Sequence, residues 1–200
     1  MIAIIDYGMG NLRSVQKAFE FLGFDASVTS DSKDIINASH IVLPGVGAFA
    51  DAARCLENTG VQETMVAQIK KGKPFLGICL GMQLLFDRSF ENGEHKGLSL
   101  IPGDIVEFDV KGLKVPHMGW NTLAEKSNAL FDGEGEEKYV YFVHSYHPAN
   151  VPEEYVIAKT DYGYTFPSAV AKDNIFGLQF HPEKSSETGL DMLKRFGELT

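Results

Sequence analysis

The segment Pro74-Phe75-Leu76-Gly77-Ile78-Cys79-Leu80-Gly81 runs from a short apolar stretch into the pattern Gly-x-Cys-x-Gly. An apolar run of this length between Pro and Gly predicts a buried strand, and the residues after it have helical spacing. A strand, a sharp turn and a helix form the elbow that presents a nucleophile in α/β enzymes, with cysteine here in place of serine. Small residues two positions before and after the nucleophile let the neighbouring backbones pass.

The chain before this elbow alternates apolar runs with amphipathic stretches. We predict strands at Ile2–Ile5, Ala26–Thr29 and His40–Leu43. Helices are predicted after residue 11, near Ala48–Glu57 and from Val61 to Lys71. A further short helix is predicted through Asn37, with Asp31 as its N-terminal cap. This alternation indicates an α/β fold with an open, mostly parallel central sheet and helices on both faces.

The chain after the elbow is rich in strands separated by Gly, Asn and Asp turns. The predicted strands are Ile105–Phe108, Val115-Pro116, Tyr139–Val143, Tyr155–Ala158, Ser168–Ala171 and Ile175–Phe180. An amphipathic helix is expected over Ser186–Leu199, and the charged segment Gly133–Glu137 is expected to be an exposed loop. Neither a linker nor a repeat interrupts the 200 residues, so we expect one domain over 1–200.

The composition narrows the classes of function. Apolar residues make up 44% of the chain and the net charge is −9, which is typical of a globular protein and argues against nucleic-acid binding. We find neither a secretory signal nor an apolar stretch near the ~20 residues of a membrane span, and expect a cytoplasmic protein with no membrane partner. The two cysteines, Cys55 and Cys79, fit a reducing compartment.

The elbow predicts that Cys79 is a nucleophile. The dipole of the following helix favours the thiolate, and the free backbone N–H of Leu80 can stabilise an oxyanion. The alternative is a small buried side chain at a strand end, which is the usual fate of a free cysteine.

A cysteine nucleophile needs a base, and His181 is the best candidate among the six histidines. It follows an apolar strand, where the active sites of α/β proteins gather. Glu183 lies two residues further on, so its carboxylate can accept a hydrogen bond from the imidazole and fix the tautomer. Alone, His-Pro-Glu equally fits a surface turn, but its combination with the elbow predicts a Cys-His-Glu triad.

Other chemistries fit the sequence less well. Gly8-Met9-Gly10-Asn11-Leu12-Arg13 follows a strand, but Arg13 occupies the third glycine position of a dinucleotide fingerprint. His144 and His147 lie three residues apart without the further Cys, His or Glu that a zinc site requires. We therefore expect no metal and no cofactor.

With Pro44-Gly45-Val46-Gly47 upstream and His181-Pro182-Glu183 downstream, the segment Gly77–Gln83 resembles the class I (triad) glutamine amidotransferases. Three further segments, Asp6–Leu12, Pro116–Asn121 and Tyr141–Tyr146, resemble one subfamily, the glutaminase subunits of imidazole glycerol phosphate synthases. The resemblance covers essentially the whole chain and all three triad positions are filled.

The resemblance implies that Cys79 attacks the carboxamide of glutamine and that His181, oriented by Glu183, moves the protons. It further implies that Leu80 and the segment Gly45, Val46 and Gly47 provide the oxyanion hole. Gln83 and the backbone of His144, Ser145 and Tyr146 are then expected to hold the substrate together with Gly47.

The implied partner is a (β/α)8-barrel cyclase subunit, which takes the ammonia and makes imidazole glycerol phosphate and aminoimidazole carboxamide ribotide in histidine biosynthesis. Asn11, Trp120 and Tyr141 lie in the subfamily motifs and are expected at the interface with this partner, although Trp120 alternatively fits core packing. Two other functions stay open: a class I glutaminase that serves another acceptor pathway, and a non-catalytic assembly subunit.

Overall fold

A nine-stranded mixed sheet forms the centre of the computed structural model, which describes residues 1–131 and 137–200. The strands of the described residues are β1 (Ile2–Ile5), β2 (Ala26–Thr29), β3 (His40–Gly45), β4 (Phe75–Cys79), β5 (Arg88–Ser89), β6 (His95–Lys96), β7 (Asp104–Glu107), β8 (His117–Glu125), β9 (Lys138–His144), β10 (Tyr146–Ala149), β11 (Val156–Asp161), β12 (Thr165–Lys172) and β13 (Ile175–Leu178). The helices are α1 (Leu12–Phe21), α2 (Ser32–Asn37), α3 (Phe49–Asn58), α4 (Gln62–Lys70), α5 (Leu80–Gln83) and α6 (Ser186–Gly197), with short 3-10 turns at Glu153–Tyr155 and Pro182–Lys184.

The central sheet has the strand order β2-β1-β3-β4-β13-β12-β11-β8-β9. The five strands from β2 to β13 pair in parallel, and the pairs from β13 to β9 are antiparallel. The carboxyl ends of β3, β4 and β13 therefore lie side by side, with Gly45 opposite Cys79. The predicted α/β fold is confirmed, and its parallel part brings the segments that carry the candidate site to one edge.

Helices cover both faces of the parallel strands, as the alternation predicts. On one face Phe19 of α1 packs against Phe196 of α6, with ring centroids 6.3 Å apart. On the other face Phe49 of α3 and Met65 of α4 belong to the apolar cluster that contains Leu43. No helix of residues 1–131 and 137–200 has the length and apolar character needed to cross a membrane.

A second sheet, with the order β10-β7-β5-β6, lies beside the central one. Its strands β5, β6 and β10 were not predicted, because two have only two residues and the third contains Pro148. The second sheet matters for the site because β10 begins at Tyr146, the last residue of the segment expected to hold the substrate.

Two local predictions differ from the structure, and a third lies mostly outside the described residues. Val115 and Pro116 are joined by a cis peptide and β8 begins only at His117, since proline has no N–H for a sheet ladder. The predicted strand Ile175–Phe180 ends at Leu178, and the next residues carry the chain into the site. Of the predicted loop Gly133–Glu137, residues 133–136 lie outside the described part, while Glu137 is exposed.

Candidate active site

The elbow places Cys79 in a backbone conformation that side chains rarely adopt. Its φ of 55° lies in the left-handed region, with ψ at −110°, which is a strained conformation that the surrounding structure must maintain. A Cβ on Gly77 would lie 2.6 Å from the carbonyl oxygen of Gly81, and one on Gly81 only 1.7 Å from that of Leu43. Both glycines are therefore required by close backbone contacts, as the spacing predicts.

The helix that follows Cys79 is short. Helix α5 has four residues, Leu80–Gln83, and a single turn contributes only a small macrodipole. The main positive group near the sulfur is the imidazole of His181.

His181 and Glu183 form a buried pair. The Nδ1 atom of His181 is 2.9 Å from Oε1 of Glu183, although residues 182–184 form a 3-10 turn instead of the extended segment that was predicted. Burial lowers the pKa of His181, but interactions with Cys79 and Glu183 outweigh burial and raise this pKa to about 10. The imidazole is therefore protonated at neutral pH. Its Nε2 atom is buried without a hydrogen-bond partner among the described residues, which leaves it available to reacting groups.

Cys79 is buried, and two groups besides His181 approach its sulfur. The backbone carbonyl of Val143 lies 4.0 Å from Sγ and can accept a hydrogen bond from the thiol. The side-chain amide nitrogen of Gln179 lies 3.9 Å from Sγ and can donate a hydrogen bond to it. The other cysteine, Cys55, is a free thiol on helix α3.

A cavity of about 330 Å³ opens beside Cys79, near the lower end of the volumes usual for small-molecule sites. It is lined by Val46, Gly47, Cys79, Leu80, Gln83, Glu91, Pro116, Val143, His144, Ser145 and Tyr146. The structure thus brings together seven of the eight residues expected to bind substrate or oxyanion. The eighth, Gly45, does not line the cavity, and a Cβ there would approach the Tyr7 hydroxyl to 2.5 Å.

Glu91 is the charged residue of the cavity that sequence reasoning missed. Its Oε2 atom accepts a hydrogen bond of 2.7 Å from the backbone N–H of Phe49, at the start of helix α3. This contact holds a carboxylate at the cavity, where it suits a cationic group of a ligand. A glutamate in a polar loop carries no sequence signal of this role, because the fold alone brings residues 49 and 91 together.

A chain of buried polar side chains adjoins the same cavity. The Nδ1 atom of His117 lies 2.9 Å from Nε2 of His144, and Nδ1 of His144 lies 2.8 Å from the carbonyl oxygen of Tyr146. That carbonyl also accepts a hydrogen bond of 3.0 Å from Nε2 of Gln83. Burial lowers the pKa of His117 to about 4 and that of His144 to about 3. Both rings are therefore neutral at pH 7.

The three residues expected at a partner interface lie at the surface. Trp120 is 53% exposed, which contradicts the alternative of core packing. Its ring makes an edge contact with Tyr141, its cross-strand neighbour, at 6.1 Å between centroids. Asn11, half-buried before helix α1, accepts a hydrogen bond from the Ser14 hydroxyl. Within residues 1–131 and 137–200, no group of three or more His, Cys, Asp or Glu side chains could hold a metal ion.

Comparison with known proteins agrees with this geometry. Residues 3–198 match the model of the family "Glutamine amidotransferase class-I". The chain therefore belongs to the class-I glutamine amidotransferases. Within that family it belongs with the imidazole glycerol phosphate synthase HisH subunits. It is 54% identical to the HisH subunit of Caldanaerobacter subterraneus subsp. tengcongensis, over 100% of this chain and 98% of the relative. The HisH subunit of Desulfitobacterium hafniense is 53% identical, over 99% of this chain and 94% of the relative.

Solved structures support the fold. A glutamine amidotransferase crystal structure matches with a TM-score of 0.75 at 16% identity, covering 98% of this chain and all of the other. The PurLQS structure from Thermotoga maritima matches with a TM-score of 0.74 at 19% identity, covering 98% of this chain and 96% of that one.

Proposed function

We propose that this chain is the glutaminase of an imidazole glycerol phosphate synthase, with Cys79 as nucleophile, His181 as proton carrier and Glu183 as the residue that orients His181. The observation that carries the proposal is the meeting of a strained cysteine elbow, whose Cys79 lines the cavity, with a buried His181–Glu183 pair that interacts with Cys79. Thiol-based acyl transfer requires a nucleophile, a base and a group that orients the base, and these three residues provide them.

The proposed reaction has two stages. In the first, the sulfur of Cys79 attacks the carboxamide carbon of glutamine, and the oxyanion forms beside the backbone of Leu80 and the Gly45–Gly47 segment. His181 then gives its proton to the nitrogen, the C–N bond breaks, and ammonia leaves behind a glutamyl thioester. In the second stage His181 takes a proton from water, the hydroxide attacks the thioester, and glutamate and the Cys79 sulfur are released.

The cavity provides groups for the amino-acid end of glutamine. The backbone of His144, Ser145 and Tyr146 offers hydrogen bonds to its amino-acid end, and Glu91 offers a carboxylate to its ammonium group. Both hydrogens of the Gln83 amide nitrogen are used inside the protein, on Tyr146 and Gln179, so its carbonyl oxygen is the atom available to substrate.

The ammonia passes to a (β/α)8-barrel cyclase subunit, which makes imidazole glycerol phosphate in histidine biosynthesis. We place this partner on a docking surface formed by Met118, Trp120 and Tyr141, and propose a partner contact for Asn11, before helix α1, as well. Met118 and Trp120 are 61% and 53% exposed on one face of β8, and Tyr141 and the cavity residue Val143 lie opposite them on β9. The surface therefore continues directly into the cavity. We propose that the complex is cytoplasmic.

The first test measures glutamate release from glutamine by the full chain, with and without the barrel cyclase and its nucleotide ligand. We expect weak release from the chain alone, strong stimulation in the complex, and loss of release in Cys79→Ala. The matched control is Cys55→Ala, which removes the other thiol and should leave release unchanged.

Each other result points elsewhere. Release that persists in Cys79→Ala contradicts the assignment of the nucleophile. A rate of glutamate release that is equal with and without the cyclase indicates a glutaminase for another acceptor pathway. The absence of release from both chain and complex favours a non-catalytic assembly subunit.

A further inference from the structure

Gln179 is a fully buried polar residue that the mechanism above does not use. It lies just beyond the end of β13 and two positions before His181, and its backbone N–H donates to the carbonyl of Ser168. Gln179 and His181 both contact Cys79 from this one segment, while Phe180 between them is buried in the apolar core.

The orientation of the Gln179 amide follows from its neighbours. The carbonyl oxygen of Tyr146 only accepts hydrogen bonds, so the atom of Gln83 that contacts it at 3.0 Å must be the NH2 nitrogen. The same nitrogen lies 3.1 Å from the side chain of Gln179, whose atom at that point must be the carbonyl oxygen. The NH2 group of Gln179 is thereby directed at the sulfur of Cys79, at 3.9 Å.

An amide N–H that faces sulfur stabilises the thiolate more than the thiol, because a charged acceptor makes the stronger hydrogen bond. The opposite group, the carbonyl of Val143 at 4.0 Å, can accept only from the protonated thiol. The two contacts thus favour different protonation states of the same sulfur.

We propose that Gln179 is a positioning residue that donates a hydrogen bond to the thiolate of Cys79 and holds the sulfur in line for attack. The inference rests on the proposed glutaminase mechanism, in which Cys79 reacts as a thiolate. Gln83 and Tyr146 keep the amide from turning over, so the donor stays directed at the sulfur through the catalytic cycle.

The test measures the rate at which iodoacetamide alkylates Cys79 as a function of pH, in the full chain carrying Cys55→Ser. In Gln179→Met, which has similar length but no donor, we expect the alkylation midpoint to rise by about one pH unit, equivalent to about tenfold less thiolate. In the complex with the cyclase we expect kcat to fall by a larger factor than KM rises.

Ser168→Ala is the matched control, since Ser168 is equally buried and its hydroxyl has no hydrogen-bond partner among the described residues. We expect its alkylation midpoint to equal that of the parent. An equal midpoint in Gln179→Met and Ser168→Ala would overturn the proposal. Because alkylation requires no glutamine turnover, this result is distinct from a failure of the glutaminase assignment.

A second measurement needs no substitution at Gln179. In 15N–1H spectra of the parent chain, the side-chain NH2 signals of Gln179 should shift with the same pH midpoint as alkylation of Cys79. They should not shift at that midpoint in Cys79→Ser. Signals that stay constant through the midpoint in the parent contradict the hydrogen bond, whether or not Gln179→Met folds.

Discussion

The donors and acceptors of the two buried histidines can be assigned from their partners. Nδ1 of His144 faces a carbonyl oxygen and must carry the hydrogen, so its Nε2 is the acceptor that receives Nδ1–H of His117. Nε2 of His117 then accepts from the side-chain amide of Asn121, which lies 3.2 Å away. Every ring nitrogen is used and neither ring carries a charge, which agrees with the lowered pKa of both.

These histidines make the stability of the protein depend on pH. Burial lowers the pKa of His117 from 6.5 to about 4 in the folded state, whereas the unfolded chain retains the ordinary value. Between these values the unfolded state binds the additional proton, so the free energy of unfolding falls as pH decreases from 6.5 toward about 4. The limiting slope is about 1.4 kcal/mol per pH unit for each histidine. Urea unfolding across this range should show a smaller slope in His117→Asn than in the parent.

The effect of His181 has the opposite sign and a different pH range. Its folded-state pKa is raised to about 10, so its contribution is fully present below 6.5 and is lost as pH rises through 10. It therefore does not contribute to the slope between 4 and 6.5. Parallel pH profiles of His117→Asn and the parent in that acid range would contradict the neutral pair.

At the scale of elements, the two-stranded ribbon of β8 and β9 divides its residues between two environments. The buried His117 lies opposite the buried His144 on one face of the ribbon. Met118 and Trp120 point to the other face, where both are exposed. The alternation follows from the two-residue period of a strand. One ribbon thereby carries the proposed docking surface on one face and the buried His117–His144 pair on the other.

The exposed aromatic ring of Trp120 should be an anchor for the proposed cyclase partner. Truncated aromatic anchors at the centre of an interface cost about 2 kcal/mol or more, so we expect Trp120→Ala to weaken the complex roughly 30-fold. Titration calorimetry with the cyclase measures this directly. The control is Ile36→Ala, an exposed apolar residue on α2, which follows the opposite edge strand of the sheet. Equal affinities of the two variants would place the partner elsewhere.

At the scale of the whole molecule, the central sheet joins the two halves of the chain. Strand β13, from the second half, pairs with β4 from the first, and α6 at the carboxyl end packs against α1. Because apolar contacts continue across this junction, neither half has a closed core of its own. We propose that residues 1–200 form one domain.

Urea unfolding of the parent should therefore give one transition with two independent probes. The only tryptophan, Trp120, reports on the second half by fluorescence, and far-ultraviolet circular dichroism reports mainly on helices, most of which lie in the first half. Phe19→Ala, a cavity mutation in the buried contact of α1, should lower stability by about 3–5 kcal/mol and shift both transitions together. Separate midpoints for the two probes would divide the chain into two domains.

Local sequence patterns were sufficient to predict the parallel half of the fold and the elbow at Cys79. Asp31 caps α2 as predicted, with its side chain accepting from the N–H of Lys33, because capping involves neighbours in sequence. The same holds for Gly77 and Gly81, whose spacing reflects a steric demand within one turn. His181 and Glu183 also pair as predicted, since they are only two residues apart.

The tertiary structure alone determined the contacts between residues distant in sequence. Glu91 at the start of α3, Gln179 beside Cys79 and the pair of His117 and His144 each join segments that only the folded sheet brings together. The length of α5 and the exposure of Trp120 were likewise set by packing, which a local pattern does not contain. Sequence periodicity predicts which face of the sheet a side chain lies on. The residues that it contacts on that face depend on the order of the strands, which the periodicity does not contain.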